Sequence, residues 1–501
     1  TFNIKAPELQ ELAPGGEQVK IERITLEGNE IYPQAVLLAA LGDVTGKSYD
    51  LAGINGIANQ LSEYYRERGY SFAKAFVPQQ EINDGSLRII IREGKYGKIR
   101  VTGEDESLNR QTAAYLGALK PCAVIDSAPL ERATLILGEL PGIKAEPVIQ
   151  SGEAEGTADL TLDVKRNKPY TFSLGLDNYG SRYTGRNEAK ANLSVNSPFM
   201  LGDQFTLSAM YTDEQMWFGT LGYSLPILSD GLRGNVGYSH NYYQLGKEFA
   251  DLGAKGLSDV LSAGLSYPII KSQRMNLSLA ATLQYKWLND TPSAVSSTTK
   301  KTSRSLPLAL SFDAKDGLLG GGVNYGTVTW TMGAISLDDT LKANDVNNTA
   351  GNFQKLLIDV ARIQSLPADF SFFIRGSAQT ANKNLDSSEG FGIGGISGVR
   401  AYAGDAAFGN IGWLTQTELR YQVNNSLTPY AFYDAGSSTP NKDAVGPNPT
   451  RKLRGAGLGM RFNKAGFSSD VSVAWWINED QQARDSKENS PRVWATVGYQ
   501  F

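Results

Sequence analysis

The chain has 501 residues, with 53 Gly, 23 Tyr, 19 Phe, 7 Trp, a single Cys and a single His. That length supports several domains and a large core, whereas the lone Cys122 excludes an internal disulfide and the lone His240 excludes a multi-histidine metal site. A formal charge of −4 leaves no electrostatic footprint for DNA or RNA, and no apolar run reaches the ~18 residues of a membrane-spanning helix.

Thr1 opens the sequence without a basic and then apolar leader, so a signal peptide is expected to have been removed already. Residues 1–17, broken by Pro7, Pro14, Gly15 and Gly16, read as a linker. Residues 18–167 read as a mixed α/β region holding a weak internal repeat, with modules at 18–97 and 98–167. The first copy opens on Ile24-x-Leu26-x-Gly28 and the second on Ile99-x-Val101-x-Gly103. Helical patterns follow at Gln34–Leu41 and Leu51–Arg68, then at Asn109–Leu119 and Leu130–Leu140. Leu51, Ile54, Ile57, Leu61 and Tyr65 fall at helical spacing as one apolar stripe. Each long stripe ends at a glycine, Gly69 or Gly142, suited to a helix C-terminus. Strand patterns complete each copy, at Phe72–Val77 and Leu87–Arg92, and at Glu146–Gln150 and Ala158–Val164. The predicted unit is β-α-α-β-β.

From residue 168 to the end the polarity alternates with period two. Leu277, Leu279, Ala281, Leu283 and Tyr285 form an apolar face against Asn276, Ser278, Thr282 and Gln284. A soluble sandwich alternates in the same way, so connection lengths carry the argument. Short turns (196–203, 226–231, 268–273, 365–370, 423–427, 463–467) alternate with long polar stretches (289–304, 336–354, 382–409, 436–451, 478–491), the signature of an outer-membrane β-barrel. The 334 residues from 168 to 501, at roughly 20 per strand and connection, predict about sixteen antiparallel strands. Pro307 interrupts one strand pattern and calls for a bulge or a strand end. The last segment alternates through Val493, Ala495, Val497, Tyr499 and Phe501 and is expected to close the barrel against a first strand near Tyr170–Asp177. Trp217, Tyr223, Trp287, Trp330, Trp413, Trp475, Trp476 and Tyr499 are candidates for the aromatic girdles.

Two β-α-α-β-β modules ahead of a sixteen-strand barrel resemble the two-partner-secretion transporters of Gram-negative outer membranes, which export haemolysins, adhesins or contact-dependent toxins. Their superfamily carries polypeptide-transport-associated (POTRA) modules and also holds the barrel-assembly insertases. The most specific match is the loop Glu389-Gly-Phe391-Gly-Ile393-Gly394-Gly395-Ile-Ser-Gly-Val399-Arg400-Ala401-Tyr402. In the family such a loop, here 382–409, enters the lumen with Val-Arg-Gly-(Tyr/Phe) at its tip. Ala401 stands in place of that Gly, and Ala tolerates positive φ poorly, which puts the family turn in question. The second match is Phe432-Tyr433-Asp434-Ala435-Gly436 on an inner-wall strand. The resemblance implies that Arg400 pairs with Asp434, with Glu418 on the preceding strand as a second candidate partner. It further implies an outer-membrane location with residues 1–167 in the periplasm. A large secreted exoprotein would be the partner, recognised through its N-terminal secretion domain, with outer-membrane lipid around a monomeric barrel. Family members usually begin with a plug helix. Residues 1–17 offer only the linker, so a leakier pore is expected unless the helix precedes Thr1.

Other signals resolve into ordinary structure. Gly390-x-Gly392-x-x-Gly395 matches a dinucleotide fingerprint by letter but lacks the flanking strand and helix, and Gly320-Gly321-Gly322 lacks the Lys of a phosphate loop. No nucleotide motif is present and no cofactor is expected, so export must draw on something other than ATP, such as client folding outside the cell. His240, in an aromatic strand pattern, has no evident catalytic partner, and Cys122 reads as a small packing residue. An enzyme is the weakest reading. An insertase or a passive porin are the alternatives, although two modules are few for the first and the 150 residues 18–167 are unnecessary for the second. A client strand is expected to add to an exposed sheet edge, chiefly in the second module.

Overall fold

The computed structural model describes residues 9, 11–103, 105–291, 298–444, 446–477 and 490–501. Most of the linker expected at 1–17, the centre of the stretch 289–304 and most of 478–491 lie outside the described residues. The chain divides into two compact units, Thr1–Asn167 and Lys168–Phe501.

The first unit holds two small α/β modules. In one, β2 (Arg23–Glu27) pairs in parallel with β5 (Ser86–Arg92), which pairs antiparallel with β4 (Lys74–Phe76). Helices α1 (Gln34–Leu41) and α2 (Leu51–Glu67) accompany this sheet, and β1 (Val19–Ile21) with β3 (Lys47–Tyr49) forms a separate two-stranded ribbon. In the other, the order is β6 (Lys95–Gly103), β8 (Thr157–Arg166), β7 (Ile143–Ser151), with α3 (Glu106–Ala113) and α4 (Ser127–Gly138). Helix α2 starts where the Asp50 carboxylate accepts the Gly53 N–H at 2.8 Å, and α3 where Asp105 accepts the Leu108 N–H at 2.6 Å. Ile54, Ile57, Ala58, Leu61 and Tyr65 are buried against the first sheet. Leu51 is 63% exposed instead, as the first residue of the helix, directly after the Asp50 cap. Glu93, between the two sheets in sequence, is buried and accepts the Glu30 and Ile31 N–H groups at 2.8 Å and the Tyr65 hydroxyl at 2.7 Å.

The second unit is a closed barrel of sixteen antiparallel strands. They are β9 (Tyr170–Asp177), β10 (Glu188–Asn196), β11 (Gln204–Thr212), β12 (Trp217–Pro226), β13 (Arg233–Gln244), β14 (Lys255–Lys271), β15 (Met275–Thr291), β16 (Thr299–Asp316), β17 (Gly322–Leu337), β18 (Gly351–Ser365) and β19 (Phe370–Ala381). After a two-residue pair inside a loop, β20 (Phe391–Gly392) with β21 (Phe408–Gly409), the wall resumes. It is completed by β22 (Ile411–Tyr421), β23 (Leu427–Thr439), β24 (Arg451–Lys464), β25 (Phe467–Trp476) and β26 (Arg492–Gln500). Leucines such as Leu176, Leu261, Leu283 and Leu458 lie on the outer face, exposed as lipid contact requires. No helix among the described residues is long and apolar enough to cross a membrane.

Two expectations are corrected here. Several stretches read as loops are partly strand: β15 runs on to Thr291 and β16 begins at Thr299, so polar ribbons continue beyond the apolar belt. Pro307 neither bulges nor ends a strand. It keeps its partner Thr331 on β17, while the β15–β16 pairing lapses between Ala281↔Leu308 and Gln284↔Ser305. Proline lacks the N–H that one ladder would have used. A short α5 (Asp339–Ala343) lies in the loop after β17.

The seam between β26 and β9 is short, pairing from Thr496↔Asp177 to Gln500↔Ser173. Beyond it the Asn178 side chain takes over, donating to the Val493 carbonyl at 3.0 Å and accepting the Ala495 N–H at 2.8 Å. Val497, Tyr499 and Phe501 lie on the outer face of this seam; the Phe501 N–H donates to the Phe172 carbonyl at 2.9 Å, and the Phe501 ring packs on Tyr499 and Phe172.

Candidate functional site: the loop inside the barrel

The site is built from the loop between β19 and β22 and from the inward faces of β22 to β26. Alternation fixes what each strand offers. On β23, Tyr430, Phe432, Asp434, Gly436 and Ser438 point inward and are covered; on β22, Leu414, Gln416 and Glu418 do the same. The loop folds on itself, with Val399 N–H donating to the Ile393 carbonyl at 2.8 Å and Tyr402 N–H to the Val399 carbonyl at 3.0 Å.

Arg400 stands at the tip of this fold and is 3% exposed. Its Nε and Nη2 donate to the two Asp434 carboxylate oxygens at 2.8 and 2.7 Å, a bidentate pair, and its backbone N–H adds a third bond to Asp434 at 3.1 Å. Its Nη1 donates to Glu418 at 2.6 Å, and the guanidinium carbon lies 3.7 Å from the Phe432 ring centroid. Glu418 is shared further, with Arg420 at 2.7 Å and Arg461 at 2.9 Å, and Arg461 bonds Asp470 at 2.8 Å. Three arginines thus meet three carboxylates, so the cluster, buried at Arg400, Glu418 and Asp434 and partly exposed at Arg420, Arg461 and Asp470, is close to neutral. Such balance is what burial of charge demands, because an unmatched ion out of water is costly.

The wall also serves the tip's carbonyls. Trp494 Nε1 donates to the Arg400 carbonyl at 2.7 Å, Trp476 Nε1 to that of Ala401 at 2.6 Å, and Gln416 Nε2 to that of Gly398 at 2.8 Å. Val399, Tyr402 and Ile393 join Leu414, Tyr430, Phe432 and Leu453 in one apolar cluster. Gly436 makes room for Ile393, since a Cβ there would come within 3.3 Å of Ile393 Cδ1. On β24 a stripe of Gly455, Gly457 and Gly459 forms an alcove: Cβ atoms would meet Ala401 Cβ at 2.5 Å, the Phe432 ring at 2.4 Å and the Tyr430 ring at 2.2 Å. Ala401 is not among the positive-φ residues, so its substitution for Gly carries no backbone strain, and its methyl fills the space above Gly455.

Val399, Arg400, Tyr402, Glu418, Asp434 and Gly436 therefore converge. Val497, Tyr499 and Phe501 do not, lying on the outer seam. Trp476, expected in a girdle, is corrected to an inward loop contact, while Trp217, Trp287, Trp330, Trp413, Trp475 and Tyr499 are exposed on the outer face. Tyr223 sits beside a short turn, its hydroxyl bonded to Asp203 at 2.6 Å. His240 stacks on Trp217 with centroids 4.5 Å apart and pairs with Asp259 at 2.7 Å. Cys122, expected to pack, is exposed and has positive φ, in a turn whose Cys122 N–H donates to the Tyr96 carbonyl. Trp494, Arg461 and the glycine stripe were missed by sequence reasoning; the period-two glycines beside a charged strand were the available signal.

A closed sixteen-strand barrel behind POTRA folds, with an arginine-tipped loop seated on its inner wall, defines an outer-membrane protein of the polypeptide-transporting class. The chain belongs to the haemolysin secretion/activation protein family ShlB/FhaC/HecB, whose model matches residues 156–462, and residues 19–94 match the ShlB-type POTRA domain. It is 29% identical over 450 residues to the heme/hemopexin transporter protein HuxB of Haemophilus influenzae (strain 86-028NP), covering 87% of this chain and 79% of the relative. Identity to the outer membrane transporter CdiB of Dickeya dadantii (strain 3937) is 23%, over 95% of this chain and 86% of that one. The solved structure of CdiB from Escherichia coli superposes with a TM-score of 0.76 at 20% identity, covering 99% of this chain and 92% of that one, and so shares the fold. The protein is an outer-membrane transporter of two-partner secretion, with residues 1–167 on the periplasmic side.

Proposed function

We propose that the chain captures an unfolded exoprotein in the periplasm through its POTRA folds and passes it through the barrel without ATP, taking no catalytic step of its own. The Arg400–Asp434–Glu418 contact acts as the lock that holds the loop in its transport-competent seat. The buried bidentate pair is the observation that carries this reading: it fixes both position and orientation of the tip, which a solvated surface charge would not. For capture, the second fold is favoured because its outer strands β6 and β7 have nine residues each, whereas the outer strands β2 and β4 of the first fold have five and three; β7 is taken as the edge to test.

Arg400→Ala is expected to abolish or sharply reduce secretion while the amount of folded barrel in the membrane stays normal; unimpaired secretion would overturn the lock. Photo-crosslinking from β7 in the native cell should capture one large secreted protein. Capture of many unrelated proteins, or no capture at all, would overturn β7 as the capture edge.

A further inference from the structure

The loop is held at a second place, at its root. Glu389, at the loop's root, is 3% exposed. Its carboxylate binds Lys286 of β15 at 2.6 Å and Lys355 of β18 at 2.9 Å, and accepts the Ser303 hydroxyl of β16 at 3.3 Å. Its backbone carbonyl accepts Lys355 Nζ at 3.0 Å and Gln379 Nε2 of β19 at 3.2 Å. Three residues earlier, Asp386 binds Lys301 of β16 at 3.0 Å. The root is thus pinned to β15, β16, β18 and β19, and the tip to β22 through β26, with Arg375 of β19 also donating to the Ser397 carbonyl at 3.3 Å.

We propose that Glu389 is a positioning residue, the pivot about which the loop turns when the Arg400 contact is released. The inference rests on the reading of Arg400 as a lock and adds where the loop stays attached. The two clusters share no side chain, so opening one does not break the other. Glu389 is also the residue immediately before Gly390-Phe391-Gly392, where the chain enters the hairpin that carries the tip. Release of Arg400 therefore frees the hairpin but not its root, and the loop swings within the lumen rather than leaving it. Two lysines share one carboxylate, so removing Glu389 leaves Lys286 and Lys355 repelling each other across the vacated site.

The test is single-channel conductance of the purified full-length protein in planar bilayers, for Arg400→Ala, Glu389→Gln and the double variant, with heat-modifiable gel mobility reporting the folded barrel. Arg400→Ala alone should flicker among sublevels, because a tethered loop still visits the pore. The double variant should show one steady level about threefold or more above wild type, a change exceeding the product of the two single effects. A double variant that conducts like Arg400→Ala alone overturns the pivot. Conductance and secretion of Arg400→Ala equal to wild type would sink the lock reading, a separate failure. Should Glu389→Gln not fold, Lys286→Gln/Lys355→Gln in the Arg400→Ala background asks the same question. If neither set yields a folded barrel, Glu389 is a folding element and the pivot is overturned.

Discussion

Two buried carboxylates, one in each unit, are met by opposite kinds of partner, Glu93 through one of its two oxygens and Asp434 through both. Glu93 sits among the apolar side chains of a POTRA fold and is met by two backbone N–H groups and a tyrosine hydroxyl, with no cation among its hydrogen-bond partners. Asp434 sits on the inner wall of the barrel and is met by a guanidinium from a different segment of chain. The first arrangement uses the backbone N–H groups of residues 30 and 31. The second uses a side chain carried by a loop and so seats that loop on the wall. The difference teaches that an amide cradle settles a carboxylate within one fold, whereas a charged pair docks one segment of chain on another.

The comparison is broken most severely by Asp434→Ala, which strands Arg400 beside Phe432 without its bidentate partner. A loss of about 3–5 kcal/mol in loop seating is expected, read as rapid protease cleavage within 390–407 and loss of secretion, with Asp434→Asn milder. Glu93→Ala should act on the other unit alone. It leaves the Glu30 and Ile31 N–H groups and the Tyr65 hydroxyl unmet, at about 1–3 kcal/mol for each buried orphan, read as faster hydrogen exchange across residues 28–33 with the barrel unaffected. Gly455→Ala should unseat the tip by about 1–3 kcal/mol through overpacking, and Ala401→Gly in the same chain should restore secretion by vacating the clash. That rescue separates shape from charge.

The smallest effect concerns an exposed carboxylate. The Leu108 N–H donated to Asp105 holds its carboxyl below the usual carboxylate range, with Arg166 helping. A lowered folded pKa means the contribution is complete above the unfolded value and is lost as pH falls through the folded one. Hydrogen-exchange protection of α3 should therefore fall on acidification towards pH 3, and Asp105→Asn should flatten that fall.

Much of this fold was legible because a strand's period-two alternation is local: Leu277 through Tyr285 show their outer face without knowledge of any neighbour. The same rule already contained the correction to Trp476, since adjacent Trp475 and Trp476 cannot both face lipid. The stripe of α2 was legible too, apart from Leu51, whose place beside the cap depends on where the helix begins. What was not legible depended on which strands become neighbours. The pairing of Arg400 with Asp434 was reached by resemblance rather than by spacing. Arg461, reaching Glu418 across 43 positions, and Glu389, reaching Lys286 across 103, need the closed ring before they have partners. Polar ribbons such as Lys300–Lys301 read as loop because they stand beyond the apolar belt, although their backbones remain paired.

The seam carries a consequence for how the molecule is made. Its closing bonds join residues as far apart as Asn178 and Ala495, 317 positions, whereas neighbouring hairpins pair across short turns. Chain entropy opposes distant contacts more than near ones, and this seam also has few ladder bonds with which to offset that cost. The meander from β9 to β26 is therefore expected to assemble first as an open sheet, with ring closure as the last and slowest event. Asn178, whose amide bonds the Val493 carbonyl and the Ala495 N–H, lengthens that short seam by two hydrogen bonds.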